Sequence, residues 1–465
     1  MLPTDFSDTI VALSTPTGIG AIGVIRMSGG QSVEIINTLF KGKNLLQQAS
    51  HTLHFGKILD GEQVLDEVVV SLFLAPHSYT KEHVVEISCH GSPYILQKVI
   101  EVLLKNGARA AKPGEFTLRA FINGRFDLSQ AEAVADLIAS DSESSHRSAI
   151  TQMKGGFSDE IKKLRERLIH FASLIELELD FGEEDVTFAD REDLQVIINE
   201  LNSTIRHMTE SFRVGNVIKN GVPVVLAGRP NAGKSTLLNA LVNEERAIVS
   251  NIAGTTRDTI EVPINISGTT FRLIDTAGIR EASDTIEAIG VKKTYEQIKN
   301  AAILLYIFDA NDLSELQVLE DIYKLNNNNL NIILVANKCD LCKEDALGKL
   351  EFSINELTQN IYPIFEISAE KKQNINELKE YLVEAIGINP YLKDDTLVTN
   401  IRHFEALTNC NHALDKVSAA LRNRVTGDFL AQDIRYALHA LSEITGDITT
   451  DDLLDNIFSK FCIGK

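Results

Sequence analysis

Residues 222–242 read VPVVLAGRPNAGKSTLLNALV: an apolar β-type run, an eight-residue loop, and an amphipathic helix start. The loop, Gly228 to Ser235, fits G-x-x-x-x-G-K-S/T in the required strand–loop–helix context. Glycines there let backbone N–H groups curl around phosphate oxygens, and the helix N-terminus adds partial positive charge. The expected phosphate cradle is Asn231, Ala232, Gly233, Lys234, Ser235 and Thr236. Lys234 would bridge the β- and γ-phosphates, and the Ser235 hydroxyl would hold Mg2+. Taken alone, this loop suits an ATPase as well as a GTPase.

Two further motifs separate those readings. DTAG, Asp275–Thr276–Ala277–Gly278, ends a strand run. There Asp275 would reach the Mg2+ shell through water, and Gly278 would meet the γ-phosphate. NKCD (337–340) follows the strand run NIILVA. A carboxylate at Asp340 accepts from guanine N1–H and the exocyclic amine together, a donor pair that adenine lacks. Asn337 would support the base and loop, Lys338 would lie along the ring, and Ser368–Ala369 would offer a backbone N–H to guanine O6. The nucleotide is therefore GTP. Hydrolysis needs another device, because Ile279 stands where Ras-like enzymes carry the glutamine that orients water. SNIAGTTRD (250–258) lies where a switch loop belongs, and Thr256 would complete Mg2+ coordination.

Working outward, strand runs alternate with helices from 216 to 384, the pattern of a parallel sheet with crossover helices. Residues 1–118 mix strand runs, such as VVVSLFL (68–74) and HVVEISCHG (83–91), with short helices. Residues 119–215 and 385–465 are helical in texture. Ser129 with Glu132 has capping-box spacing, and Ile161, Leu164, Leu168, Phe171 and Ile175 form one stripe. Leu407, Cys410, Leu414, Val417 and Leu421 form another, and Leu430, Ile434, Leu438 and Leu441 a third. The two helical stretches are expected to pack on each other with the α/β unit inserted. The fold class is thus multidomain α/β plus α: an N-terminal α+β domain, a discontinuous helical domain and an inserted Ras-like P-loop GTPase domain.

Composition narrows the function further. Of 465 residues, 44% are hydrophobic and 24% charged, as in ordinary globular proteins. The longest apolar runs, such as AAILLYIF (301–308), are too short for a bilayer span, so no membrane partner is expected. MLPTDFSDTI has no basic residue, so no secretory signal is expected. Five scattered cysteines point to a reducing cytoplasm, and the C-x-x-C of Cys339 and Cys342 lacks a second pair for a metal. Net charge of −20 excludes a general nucleic-acid coat, so RNA must be met by a local patch or presented by a partner. GIGAIG (18–23) matches a dinucleotide fingerprint, but VIRM continues as strand rather than helix.

GRPNAGKS, IAGTTRD (252–258), DTAGIRE (275–281) and the terminal CIGK (462–465) together resemble the MnmE (TrmE) family of bacterial tRNA-modification GTPases. TPTGIGAIGVIRMSG (15–29), KPGEFTLRAFINGRFDLSQAEA (112–133) and DFGEED (180–185) extend the resemblance over the whole chain. The resemblance implies a bound K+ in place of an arginine finger, with Asn231, Ser250, Ile252 and Thr255 as ligands. Asn251, Ala253 and Gly254 belong to the same nucleotide-facing loop. It also implies a homodimer whose N-terminal domain binds a 5-formyltetrahydrofolate-type donor through Arg26, Glu86, Arg125 and Lys465. Arg125 departs from the lysine expected in relatives, and a guanidinium is not an ammonium. The water-orienting glutamate matches Glu287, although from the residues alone Glu281 is an equal candidate. Cys462 is either a catalytic thiol or a packing one, and Gly464 reads plainly as a helix C-cap.

The implied activity is K+-stimulated GTP hydrolysis. With a flavoprotein of the MnmG (GidA) type in a heterotetramer, it would install a carboxymethylaminomethyl-type group at C5 of the wobble uridine of tRNA. Glycine or ammonium would supply the nitrogen. The rival reading is a GTP-dependent ribosome-assembly switch, which would need a basic RNA-binding domain that this chain does not display.

Overall fold

The computed structural model describes residues 7–180, 191–244, 261–275, 297–298, 301–312, 315–325, 330–342, 362–387, 396–423 and 427–464. The chain forms two compact units, one of 1–139, 149–205 and 405–465, the other of 140–148 and 206–404.

The first unit holds a seven-stranded sheet of β1 (Ile10–Leu13), β2 (Ile22–Ser28), β3 (Phe40–Lys41), β4 (Thr52–Asp60), β5 (Gln63–Phe73), β6 (Val84–His90) and β7 (Arg109–Ala110). Its order is β3-β4-β5-β6-β2-β1-β7. Alternation along the strands turns Ile25, Met27, Val68, Val70, Val85 and Ile87 to one face. There they bury against helices α1 (Ser32–Leu39) and α2 (Pro93–Lys105). β2 begins inside GIGAIG, at Ile22, so a strand stands where a dinucleotide fingerprint needs a helix.

Helix α3 (Glu115–Ile122) closes this sheet through a buried charge network. The Arg119 side chain is fully buried and ion-pairs with Asp8 at 2.6 Å, Glu82 at 3.2 Å and Glu115 at 3.2 Å. Arg109 also reaches Asp8 at 2.6 Å and Glu115 at 2.5 Å. Burial pushes the Asp8 and Glu115 carboxyls up, but their arginine hydrogen bonds outweigh it and hold both below the usual carboxylate range.

Helices α4 (Leu128–Ala139), α5 (Glu143–Met153), α6 (Gly156–Asp180) and α7 (Arg191–Asn220) follow. The cap of α4 corrects the sequence reading by two positions. Asp127 Oδ1 accepts the Gln130 N–H at 3.0 Å, and Gln130 Oε1 accepts the Asp127 N–H at 3.0 Å. The capping box is therefore Asp127–Gln130, not Ser129–Glu132. Ser129 instead bonds Ser158 Oγ at 2.7 Å, across to α6.

After the second unit the chain returns as α11 (Ile401–Arg422), α12 (Gly427–Thr445) and α13 (Asp451–Phe458). The expected packing of the two helical stretches is present within the first unit. α12 runs along α6, Arg165 pairs with Asp447, Gln195 reaches Ser418 at 2.8 Å and Asn202 reaches Asp415 at 3.1 Å. The stripes of α6 and α11 named above are buried throughout, and in the α12 stripe only Leu438 is half-exposed.

The second unit carries a six-stranded sheet: β8 (Val222–Ala227), β9 (Glu261–Ile266), β10 (Thr269–Asp275), β11 (Ile303–Asp309), β12 (Asn331–Asn337) and β13 (Ile364–Glu366). Its order is β13-β12-β11-β8-β10-β9. All neighbours are parallel except the hairpin partners β9 and β10, so the sheet is mixed rather than wholly parallel. Helices α8 (Lys234–Glu244) and α10 (Ile375–Ala385) cover one face, and α9 (Glu315–Leu325) the other. Burial on both faces explains the unbroken apolar run of β11.

Arg119→Met should lower unfolding free energy by about 3 kcal/mol, because three carboxylates lose a buried partner. Urea titration of the full chain reads this out, and a change under about 1 kcal/mol would contradict it. The pH sign follows from the depressed carboxyls. Their contribution is complete above the unfolded-chain value near pH ~4 and is lost as pH falls through the lower folded-state values.

Candidate functional site

The loop between β8 and α8 has the shape that its sequence requires. Gly233 adopts φ +92°, and a Cβ there would sit 2.2 Å from Asn337 Nδ2. Gly228 lies against β11, where a Cβ would stand 2.0 Å from the Ile307 carbonyl oxygen. Both glycines are thus fixed by close approach. Lys234 Nζ donates to the carbonyls of Gly228 at 2.8 Å and Arg229 at 3.0 Å, which holds the ammonium over the loop. Ser235 and Thr236 follow in the first turn of α8, Ala232 is buried and Asn231 is exposed at φ +64°.

Asn337, the last residue of β12, is only 2% exposed and ties three segments together. Its Nδ2 donates to Ala232 O at 2.9 Å, while its Oδ1 accepts from Lys338 N at 2.9 Å and Ala369 N at 3.0 Å. The phosphate loop, the NKCD turn and the Ser368–Ala369 loop are therefore one connected body. Lys338, at φ +65°, pairs through Nζ with Asp309 Oδ2 at 2.6 Å. Asp309 is depressed below the usual carboxylate range: burial raises it, but the bonds from Lys338 and Asn311 prevail. Asp340 is exposed in the 3-10 turn Cys339–Leu341, open to a base.

The Ser368 N–H donates to Gln373 O at 3.3 Å and that of Ala369 to Asn337, so an O6 contact from either amide would be shared. Asp275 ends β10, one strand across from the loop. Ser250, Asn251, Ile252, Ala253, Gly254, Thr255, Thr256, Thr276, Ala277, Gly278, Glu281, Glu287 and Lys465 lie outside the described residues.

A second cluster forms in the first unit. Arg26 and Glu86 are directly opposite in the β2–β6 register and pair at 2.7 Å. The guanidinium of Arg26 lies 5.4 Å from the centroid of the Tyr79 ring, and that of Arg125 lies 5.0 Å from the same ring. Arg125 also donates to Ser78 O at 2.7 Å, and the Tyr79 hydroxyl bonds Thr117 Oγ1 at 2.9 Å.

The C-terminal tail reaches this cluster. Helix α13 is capped by Thr450 Oγ1 and ends at Phe458. Phe458 and Phe461 are buried beside Leu118, Leu128 and Ala131. Gly464 is not the C-cap of that helix. It adopts φ +97° against β1, where a Cβ would stand 2.2 Å from Leu13 O. Its carbonyl accepts from Ser14 Oγ at 3.2 Å and Arg26 Nη1 at 3.3 Å. The Cys462 carbonyl accepts from Gly114 N at 3.4 Å, and its side chain is exposed. The tail is held, and its thiol faces solvent.

Sequence reasoning did not find Asp309 or Tyr79. Asp309 stands opposite Asn337 in the β11–β12 register, a pairing invisible without the sheet. Tyr79 sits in a loop with no periodic signal, and its partners come from β2 and from the turn after α3.

Residues 9–125 match the family model for the GTP-binding protein TrmE N-terminus, and residues 128–462 match that for the MnmE helical domain. A Cytophaga hutchinsonii protein named tRNA modification GTPase MnmE is 57% identical over 462 residues, 99% of each chain. Proteins of the same name from Christiangramia forsetii and Bacteroides fragilis are 50% and 52% identical, covering 99% and 98% of this chain and 99% of each of theirs. Aquifex aeolicus Era is 28% identical over 41% of this chain and 66% of that one, with TM-score 0.30. The FeoB G-domain of Methanococcus jannaschii is 26% identical over 36% and 97%, with TM-score 0.27. Scores this low add nothing to the sheet described above. With two family models meeting almost end to end and half or more of its residues shared with full-length relatives, the chain belongs to the MnmE family of tRNA-modification GTPases.

Proposed function

We propose that this GTPase is K+-stimulated and acts as a homodimer, in a heterotetramer with a flavoprotein of the MnmG type, in the cytoplasm. Together they install a carboxymethylaminomethyl-type group at C5 of the wobble uridine, with a 5-formyltetrahydrofolate-type donor. The observation that carries this reading is Arg26. It joins Glu86, the Tyr79 ring shared with Arg125, and the carbonyl of Gly464, so the N-terminal and C-terminal motifs share one place. Two guanidiniums beside a half-exposed aromatic ring suit a flat heterocycle carrying carboxylates. The folate, when bound there, would supply the one-carbon unit. Net charge of −20 favours tRNA held largely by the partner.

At the nucleotide, Lys234 and the N-terminus of α8 neutralise charge on the transferring phosphoryl group, and Asp340 selects guanine. Ser235 and Thr256, with Asp275 through water, would hold Mg2+. Asn231 offers an exposed carboxamide oxygen, a donor type suited to K+, alongside Ser250, Ile252 and Thr255. The cation would add positive charge at the transferring phosphoryl group. Glu287 orients the attacking water. Hydrolysis would drive movement of the GTPase domains rather than the carbon chemistry, and Cys462 is the exposed thiol available to attack the uracil ring.

GTP turnover should rise at least about tenfold in K+ over Na+, and equal rates would remove the cation. Glu287→Ala should cut hydrolysis by about a hundredfold while GTP affinity stays within about twofold. An unchanged rate would transfer the role to Glu281 or elsewhere. Arg26→Gln should weaken 5-formyltetrahydrofolate binding, read by calorimetry, at least about tenfold; unchanged affinity would refute the folate site. Cys462→Ser should abolish tRNA modification with GTP hydrolysis intact if the thiol reacts, and intact modification would assign it a packing role.

A further inference from the structure

The rising arm of the phosphate loop is tied to the protein by contacts that the motif itself does not contain. Arg229, its second residue, is gripped by Asp321 of α9: Nε donates to Oδ2 at 2.7 Å and Nη2 to Oδ1 at 3.3 Å. The same Oδ2 accepts the Tyr306 hydroxyl at 2.6 Å. Tyr306 is 2% exposed, packs on Phe308, and lies opposite Ala227 in the β11–β8 register, one residue before the loop begins. The Arg229 carbonyl, meanwhile, accepts Lys234 Nζ at 3.0 Å. Arg229 is thus anchored through its side chain while its backbone positions the phosphate-binding lysine. An exposed single ion pair would contribute little, but this one is two-pronged and backed by a buried phenol.

We propose that Asp321, oriented by Tyr306, is a positioning residue for nucleotide binding. It holds Arg229 so that the loop and Lys234 keep their phosphate-ready geometry without nucleotide. Asn337 holds the falling arm at Ala232, and Asp321 holds the rising arm at Arg229. A loop held at both ends loses less conformational freedom on binding, so the tether acts on affinity and residence time rather than on the chemical step. This rests on the GTPase activity and is independent of the folate reading.

The test measures binding and dissociation of a fluorescent GDP on the full chain, with steady-state GTP hydrolysis alongside. Asp321→Asn should raise Kd and the dissociation rate about tenfold, raise KM similarly, and leave kcat within about twofold. Tyr306→Phe should shift Kd in the same direction by a smaller factor, about threefold. Asp321→Glu should restore much of the lost affinity. Arg229→Gln combined with Asp321→Asn should be no worse than the more severe single variant, since both cut one tether. Unchanged Kd and dissociation in Asp321→Asn, or fully additive effects in the double variant, would overturn the proposal. If Asp321→Asn fails to fold by thermal melting, Tyr306→Phe decides alone: unchanged dissociation refutes the tether, and faster dissociation supports it.

Discussion

The second unit depends on the buried carboxamide of Asn337. Its three hydrogen bonds reach Ala232, Lys338 and Ala369, which are far apart in sequence. The loop at Ala232, the NKCD turn and the Ser368–Ala369 loop are therefore mechanically tied. A loop that shifts at Ala232 disturbs the turn that presents Asp340. The contact also dictates a glycine at 233, since any side chain would strike the Asn337 amide. A buried amide left unpaired costs about 1–3 kcal/mol. Exchanging that side chain would destabilise three loops together.

The first unit meets a different constraint. Residues 462–464 stay in place because Phe458 and Phe461 are buried ahead of them and Gly464 presses on the β1 backbone. That contact needs both the absent side chain and φ +97°. The glycine of the terminal motif is thus a matter of fit, and it delivers a carbonyl to Arg26. Two residues earlier, Cys462 accepts the Gly114 N–H through its carbonyl at 3.4 Å and leaves its thiol exposed.

Much of this was legible in the residues. The phosphate loop, NKCD and the strand–helix alternation have fixed spacings whose chemistry has few other uses. The buried stripes of α6, α11 and α12 followed from period alone. What escaped was decided by tertiary register. The run at β9 alternates as a strand does, but alternation carries no direction, so the antiparallel edge of the sheet was missed. Ser129 and Glu132 have the right letters for a cap, but Asp127 precedes them and takes the role with Gln130. Gly464 looked like a helix end because its contact, Leu13, lies at the opposite end of the chain. Asp309 and Tyr79 act through partners from other strands and loops, and single-sequence periodicity carries no trace of such pairings.

Asn337 ties the loops of the nucleotide site, and the tail carries the Gly464 carbonyl to Arg26, where the folate-dependent chemistry is proposed. The most direct test is nucleoside analysis of tRNA from cells whose only copy of this gene ends at Phe461. The shortened chain keeps the buried aromatic pair and the whole nucleotide site, but it lacks Cys462, Gly464 and Lys465. The account predicts wobble uridines without the C5 group, while the purified shortened protein still hydrolyses GTP. Normal wobble uridines in those cells would contradict it.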